Sequence, residues 1–499
     1  MCNSVGLAVC AMQVLLCTAS NTLALPAWNV TVSTITRNDD MTVVDIVAAK
    51  DGTLIFAYHL SQDGMGIGKY SPVRDDVLWS SYFEPSVGRH RNVFALAATE
   101  DSGAVACFEV NGLSAYSDFD NHLGCVRVSP LGALEWSAVH VNDRYFAFFN
   151  VAVLSSGNVV VIGGPSITLA NFSAAGDDVE FTDIPSLLSS SYGGDATELR
   201  DGTIVVSTSQ YIDDVVALHG MSRNGTGLWT VSLMGVVTNG LVYASVAADA
   251  QGGFTVAFPD EDNSIVVCKM SSVGVVLWCK TLSGDIIQPA DRGVHIEESS
   301  KGGVVVACDT RGSISGGILF IRLSANGNLV TASSIGGNLN SWPIVTTLGL
   351  TQLPDDSWAV LGSTGYNVSI LRTERQTTAF VAHVNDDGVA SDCTGFNVTG
   401  ALTIADVHVT TVALGHSRSN FSLQKLNISY TRTNESWRFS NDALCSSSNE
   451  SSCTRPVTAK NPAQLTTVSS GSVLHEVFVH CQLCSSFDGN LLTSCTAGL

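Results

Sequence analysis

A turn followed by an apolar strand returns seven times at an interval near 50 residues, and few folds can hold such a repeat. It first occurs as Asp51-Gly52-Thr53 leading into Leu54-Ile55-Phe56. Copies follow at Ser102-Gly103, Ser156-Gly157, Asp201-Gly202, Gly252-Gly253, Gly302-Gly303 and Asp355-Asp356, with steps from Gly52 of 51, 54, 45, 50, 50 and about 54 residues. A second element keeps the same period. It ends in Trp at Leu78-Trp79, Leu134-Glu135-Trp136, Leu228-Trp229 and Leu277-Trp278, and Trp28 lies 51 residues before Trp79. The copy between Trp136 and Trp229 has lost its Trp, at a position expected near Phe181.

The runs between these markers are short, rich in Val, Ile, Thr and aromatics, and bounded by Gly, Asn, Asp and Ser, which is the signature of strands. No helix-period run of useful length is present. Four strands per repeat predict an all-β fold, a seven-bladed β-propeller of four-stranded antiparallel blades over residues 25–396. One such sheet cannot cover both its faces, whereas radial stacking covers each face with the next sheet. A β-solenoid would use shorter repeats, and paired sandwiches would not keep the period. The repeated Trp is expected to pack between blades. The segment 28–36 is expected to be the outer strand of the last blade, in competition with residues 389–393.

The order of a Gly-Gly or Asp-Gly turn, an apolar strand, a loop and a closing G-x-L-x-W resembles the repeats of about 50 residues found in secreted bacterial propellers. More loosely it resembles quinoprotein-like and kelch propellers. The stretch 301–337, KGGVVVACDTRGSISGGILFIRLSANGNLVTASSIGG, fits best, and the resemblance spans roughly residues 28–395. It implies the fold alone. Asn340 stands where such repeats often carry an acid, so no family site is carried over.

Composition narrows the class. With 45 acids against 24 bases, the net charge of −21 excludes an ordinary nucleic-acid binder. With 45% hydrophobic and 14% charged residues the chain is also not a disordered one. Residues 1–24 read as a secretory signal peptide: VGLAVCAMQVLL is followed by small residues, with cleavage after Ala19 or Ala24, although no Lys or Arg precedes Arg37. Sequons for N-glycosylation occur at Asn29, Asn171, Asn224, Asn367, Asn397, Asn420, Asn427, Asn434 and Asn449. Of 14 cysteines, three fall in the leader, leaving 11. Disulfide candidates are Cys268 with Cys279, which flank a turn, then Cys445 with Cys453, and the group Cys481, Cys484 and Cys495. An odd number leaves one thiol free or paired between chains. No later apolar run is long enough for a transmembrane helix. The expected location is secreted, outside the cell.

The repeat stops near residue 396, so 397–499 is expected to form a glycosylated, Cys-containing C-terminal β module or stalk. Function in a propeller sits on loops around the axis. Candidate channel-face binding residues are therefore Arg89, His90, Arg91, Asp143, Arg144, Asp291, Arg292 and Trp342. Three of these loops hold Arg, which could bind an anion or carboxylate, or simply pair with the local acids. Adjacent acids such as Asp213-Asp214 are better explained as solvated turns than as a calcium site. No catalytic motif appears, no metal site is predicted, and no cofactor is expected. The primary expectation is a non-catalytic binding or adhesion module for an extracellular protein or glycan, as a monomer or an unknown oligomer. The alternative is a secreted propeller enzyme, either a hydrolase or lyase acting on glycans or a quinoprotein-like oxidoreductase. Several carboxylates meeting at the channel would favour the hydrolase.

Overall fold

The computed structural model describes residues 33–35, 41–60, 64–71, 74, 76–85, 89–111, 122–141, 148–163, 168–176, 179–183, 191–210, 215–234, 244–260, 262–287, 294–312, 315–335, 345–365, 377–384, 396–397, 401–413, 419–421, 424–426, 430–434, 439–441, 478–485 and 491–498. The chain divides into two units, 1–444 and 445–499.

After a short strand, β1 (Ser33–Ile35), the chain builds successive antiparallel meanders. The first is β2 (Met41–Ala48), β3 (Leu54–Leu60), β4 (Gly64–Ser71) and β5 (Asp76–Pro85). The second is β6 (Arg89–Ala98), β7 (Ala104–Asn111), β8 (His122–Val128) and β9 (Leu134–Val141). The third is β10 (Phe148–Val153), β11 (Val159–Gly163), β12 (Thr168–Phe172) and β13 (Val179–Asp183). The fourth is β14 (Ser191–Glu198), β15 (Ile204–Gln210), β16 (Val215–Met221) and β17 (Gly227–Met234). The fifth is β18 (Ser245–Ala248), β19 (Phe254–Pro259), β20 (Ile265–Met270) and β21 (Val276–Ser283). The sixth is β22 (Val294–Glu298), β23 (Val304–Gly312), β24 (Ser315–Leu323) and β25 (Leu329–Ile335). The last has three strands among the described residues, β26 (Val345–Gln352), β27 (Trp358–Gly365) and β28 (Thr377–Val384).

The architecture is all-β and propeller-like. The first strand of each sheet lies against the first strand of the next, from β2 to β6 and onward to β26, and β26 lies against β2. The core sits between sheets. Ile55, Ala57 and Ile67 of the first pack with Leu96, Ala106 and Phe108 of the second. Likewise Val205 and Leu218 of the fourth pack with Val246, Phe254 and Val256 of the fifth. Each such buried side chain contributes roughly 1.5–3 kcal/mol relative to exposure.

The repeated motifs take two local forms. In the turn between the first and second strands, an Asp accepts the backbone N–H two residues on, as Asp51 does from Thr53 and Asp201 from Thr203. The residue between them has positive φ. This is Gly52 in the first sheet, and Ser102 is its equivalent in the second, both one residue beyond the Asp. The tryptophans lie on the outer strands, and each indole N–H donates to a carbonyl in the next sheet's third turn. Trp79 reaches Pro130 at 2.8 Å, Trp136 reaches Ala174 at 3.1 Å, Trp229 reaches Ser272 at 3.0 Å and Trp278 reaches Ala325 at 3.0 Å. The glycine ending that turn lies under the ring. Gly274 has φ 77°, and a Cβ there would stand 3.0 Å from Trp229.

Residues 396–441 continue the same sheets. The chain runs back around them as β29 (Phe396–Asn397), β30 (Thr403–Asp406), β31 (Thr410–Ala413), β32 (Ser419–Phe421), β33 (Gln424–Leu426) and β34 (Tyr430–Asn434). In that order they pair antiparallel with β25, β21, β17, β13, β9 and β5 as fifth, outermost strands. The last, β35 (Phe439–Asn441), pairs with β1, and β1 lies beside β28. The expected separate module at 397 is thus divided: 397–441 joins the sheets, and the second unit starts at 445. Its described part is a hairpin of β36 (Phe478–Ser485) and β37 (Leu491–Gly498), whose register sets Cys481 opposite Cys495 and Cys484 opposite Leu492. Cys445 and Cys453 lie outside the described residues.

Among the described residues, two disulfides form within sheets. Cys268–Cys279 joins β20 to β21, as the flanking turn predicts. Cys107–Cys125 joins β7 to β8 and had no sequence signal, because a long connection separates the two strands. Cys308 is a buried free thiol whose pKa burial raises.

Candidate functional site

Each inner strand carries one residue seven positions ahead of its positive-φ turn residue. In order these are Asp45, Ala95, Asn150, Asp195, Ser245, His295 and Gly349, preceding Gly52, Ser102, Gly157, Gly202, Gly252, Gly302 and Asp356. In most sheets a β-bulge falls at or just before this position, as between Val43 and Asp45 or between Phe148 and Asn150. The result is a collar, rich in short polar side chains, on the strands that face the centre of the ring.

The collar stitches most inner strands to the next. Asp45 accepts N–H bonds from its own neighbour Ile46 at 2.7 Å and from Leu96 of the following sheet at 2.9 Å. Asp195 accepts from Ala196 at 2.7 Å, from Val246 of the next sheet at 3.0 Å, from the Ser245 hydroxyl at 2.9 Å and from the Asn150 amide. Ser245 in turn accepts from Ile296 at 3.4 Å. A second layer lies two residues further on. Glu297 accepts from the Gln352 N–H at 3.0 Å, and Thr351 from the Ala48 N–H at 3.2 Å, so sheets six, seven and one are joined in the same way.

Three carboxyl groups of this collar and its second layer are linked electrostatically, since the charge of Asp195 is felt at both Asp45 and Glu297. Burial, opposed by the bonds from Leu96 and Ile46, pushes Asp45 up to about 7, and the negative charge of Asp195 adds to the rise. Burial likewise pushes Asp195 to about 6 and, with Asp195 nearby, Glu297 to about 8. All three residues are half-buried. Of the two, Glu297 holds its proton more tightly than Asp195. Among the described residues no cluster of three or more His, Cys, Asp or Glu is arranged to hold a metal ion.

The residues singled out from the sequence are placed less fully. Arg89, His90 and Arg91 begin β6, with Arg89 opposite Asn111 and His90 opposite Val110. Asp143, Arg144, Asp291, Arg292 and Trp342 lie outside the described residues. The acids of the collar were missed because they share no local motif: Asp45 lies alone in an apolar strand, Asp195 among small residues and Glu297 beside Glu298. The signal that could have found them is the fixed offset from the turn.

Of the sequons, Asn171 is in β12 and its amide nitrogen donates to the Arg223 carbonyl at 2.8 Å. Asn224 is exposed in a turn, where its side chain accepts from Thr226 N–H at 3.3 Å. Asn397, Asn420 and Asn434 lie on β29, β32 and β34, whereas Asn29, Asn367, Asn427 and Asn449 fall outside the described residues.

No family model matches the chain, and no curated protein matches it. Among solved structures it is similar to the NanB sialidase of Streptococcus pneumoniae, with 12% identity, TM-score 0.44, and coverage of 74% of this chain and 73% of that one. It is similar to a leech intramolecular trans-sialidase at 10% identity and TM-score 0.42, covering 75% and 72%. Regucalcin, a calcium-binding protein from Agrobacterium tumefaciens, matches at 13% identity and TM-score 0.34, covering 58% and 88%. Likenesses of this size carry no activity over to the present chain.

Proposed function

We propose that the chain is a closed seven-bladed extracellular propeller that cleaves glycans at the centre of its ring. The ring counts β26–β28 with β1 as its seventh blade. The observation that supports the activity is a set of three inner-strand carboxyl groups, Asp45, Asp195 and Glu297, in which Asp195 acts on the other two and the proton affinities are unequal. Glycoside cleavage uses one protonated carboxyl as acid and one carboxylate as base or nucleophile, and environments that push two acids apart supply that pair. Here Glu297 is the acid and Asp195 the carboxylate. An extracellular setting agrees with two disulfides and with the absence, among the described residues, of any helix long and apolar enough to cross a membrane.

A second reading, a non-catalytic binding module, has its own observation: both oxygens of Asp45 and of Asp195 already accept hydrogen bonds within the collar. One experiment separates the two. The secreted protein is incubated with neutral, sulfated and sialylated glycans, and both released sugar and retained glycan are measured. Release that falls on the order of 100-fold in Glu297→Gln with retention unchanged supports cleavage. Retention without release supports the binding module, and neither release nor retention overturns both.

A further inference from the structure

Residues 396–441 form a belt, and its sequence holds four of the nine sequons, at Asn397, Asn420, Asn427 and Asn434. Three of these fall on belt strands. Asn397 pairs with Ser333, Asn420 with Thr182 and Asn434 with Ser81. In each of these sheets the belt strand is the last in the hydrogen-bonded order, so its far edge pairs with no other described strand. An open strand edge is a template for pairing with another molecule, and proteins blunt such edges with short strands or with groups that obstruct approach. The belt strands are two to five residues long. Shortness alone leaves six consecutive edges around the circumference, and net charge alone repels only at distances that salt screens.

We propose that Asn397, Asn420 and Asn434 carry N-linked oligosaccharides that guard the outer edge of the ring against edge-to-edge association. In the transfer, the Asn side-chain nitrogen bonds to the anomeric carbon of an oligosaccharide borne on a lipid pyrophosphate. The bond from that carbon to the phosphate oxygen breaks, the lipid pyrophosphate leaves, and the amide gives up one proton. The belt edge suits this modification better than the interior of a blade does, although Asn224 is also exposed, in a blade turn. Asn171, the sequon inside a sheet, has strand neighbours on both sides and uses its amide nitrogen to hold Arg223 of the next sheet.

The test uses the full chain secreted from a eukaryotic cell. Glycopeptide mapping is expected to find all three belt sites occupied. The triple variant Asn397→Gln, Asn420→Gln, Asn434→Gln, and separately Thr399→Ala, Ser422→Ala, Ser436→Ala, are then followed by light scattering and by thermal melting. Both are expected to form concentration-dependent oligomers at a melting midpoint within a few degrees of the parent. The second set leaves every belt Asn in place, so agreement between the two assigns the effect to the lost sugars. Unoccupied sites overturn the proposal, as does a sugar-free protein that stays monomeric at the highest concentration measured.

Discussion

The indole N–H of each repeat Trp and the carbonyl it meets show how one residue type can organise neighbouring sheets. The register gives the reason the pattern skips a repeat. Lys69, Arg127, Gly220 and Lys269 of the third strands stand opposite Trp79, Trp136, Trp229 and Trp278, and in the third sheet Asn171 stands opposite Glu180. The lost Trp therefore belongs at Glu180, one residue before the position read from the sequence. Its donor is replaced from the facing strand, where Asn171 bonds the carbonyl of Arg223 in the turn of the next sheet. The collar acids invite a sharper test at the same scale. Burial raises Asp45 from 3.8 in the ordinary state to about 7 in the fold, so the folded protein holds that proton more tightly than the unfolded chain. Its contribution is complete below about pH 4 and is lost as pH rises through 7. Asp45→Asn cannot titrate. Chemical denaturation from pH 4 to 8 should show the parent losing stability relative to Asp45→Asn across that window, and parallel curves would show that Asp45 does not titrate in it.

Elements differ in how plainly they could be read from the residues. The turn and the strand after it announce themselves, because a residue in the left-handed region recurs in all seven turns and in four of them the Asp before it accepts the N–H two residues on. The belt announces nothing. Its strands have no period of their own, and LTIADVHV gives only a weak alternation, with Leu402 and Ile404 packing on the core beside Trp278 and Val409 buried in the neighbouring cluster. Strands of two to five residues take their structure from the edge they join, so no local propensity marks them. The disulfides illustrate the same division. Cys268 and Cys279 are 11 residues apart across a tight turn, whereas Cys107 and Cys125 are 18 apart and meet only once β7 and β8 are in register. Closing loops of these lengths constrains the unfolded chain by about 2–4 kcal/mol each. Replacing Cys268 and Cys279 together by Ser should lower the denaturation free energy by about 2 kcal/mol or more. Reduction of the parent should lower it further, since Cys107–Cys125 is then lost as well, and a double variant as stable as the parent would remove the entropic account.

At the scale of the whole molecule, the proposed ring depends on a join that neither end makes alone. Each of the first six sheets draws its four central strands from consecutive sequence. The last has three, and the place beside β28 is taken by β1 from the other end of the chain. β1 also pairs with β35, the final strand of the belt, through Ser33 with Asn441, Thr34 with Ser440 and Ile35 with Phe439. The N-terminal strand is therefore held between the end of the repeats and the end of the belt, both more than 300 residues away in sequence. Such long-range contacts reward the chain only after the whole circuit is formed, which makes the seam late to fold and early to fail. Deleting residues 25–36 leaves every internal meander intact but exposes an edge of β28 and frees β35. The deletion should lower the melting midpoint by about 1 °C for each kcal/mol lost, and the loss should appear as one earlier transition of the ring. Truncation after residue 395 removes the belt and the buried Val409, and it should lower the midpoint as well. If the seam joins belt to ring, removing both segments together should cost less than the sum of the two separate losses. A deletion of 25–36 that melts with the parent would mean that the last sheet closes on itself, and the ring would have no need of its N-terminal strand.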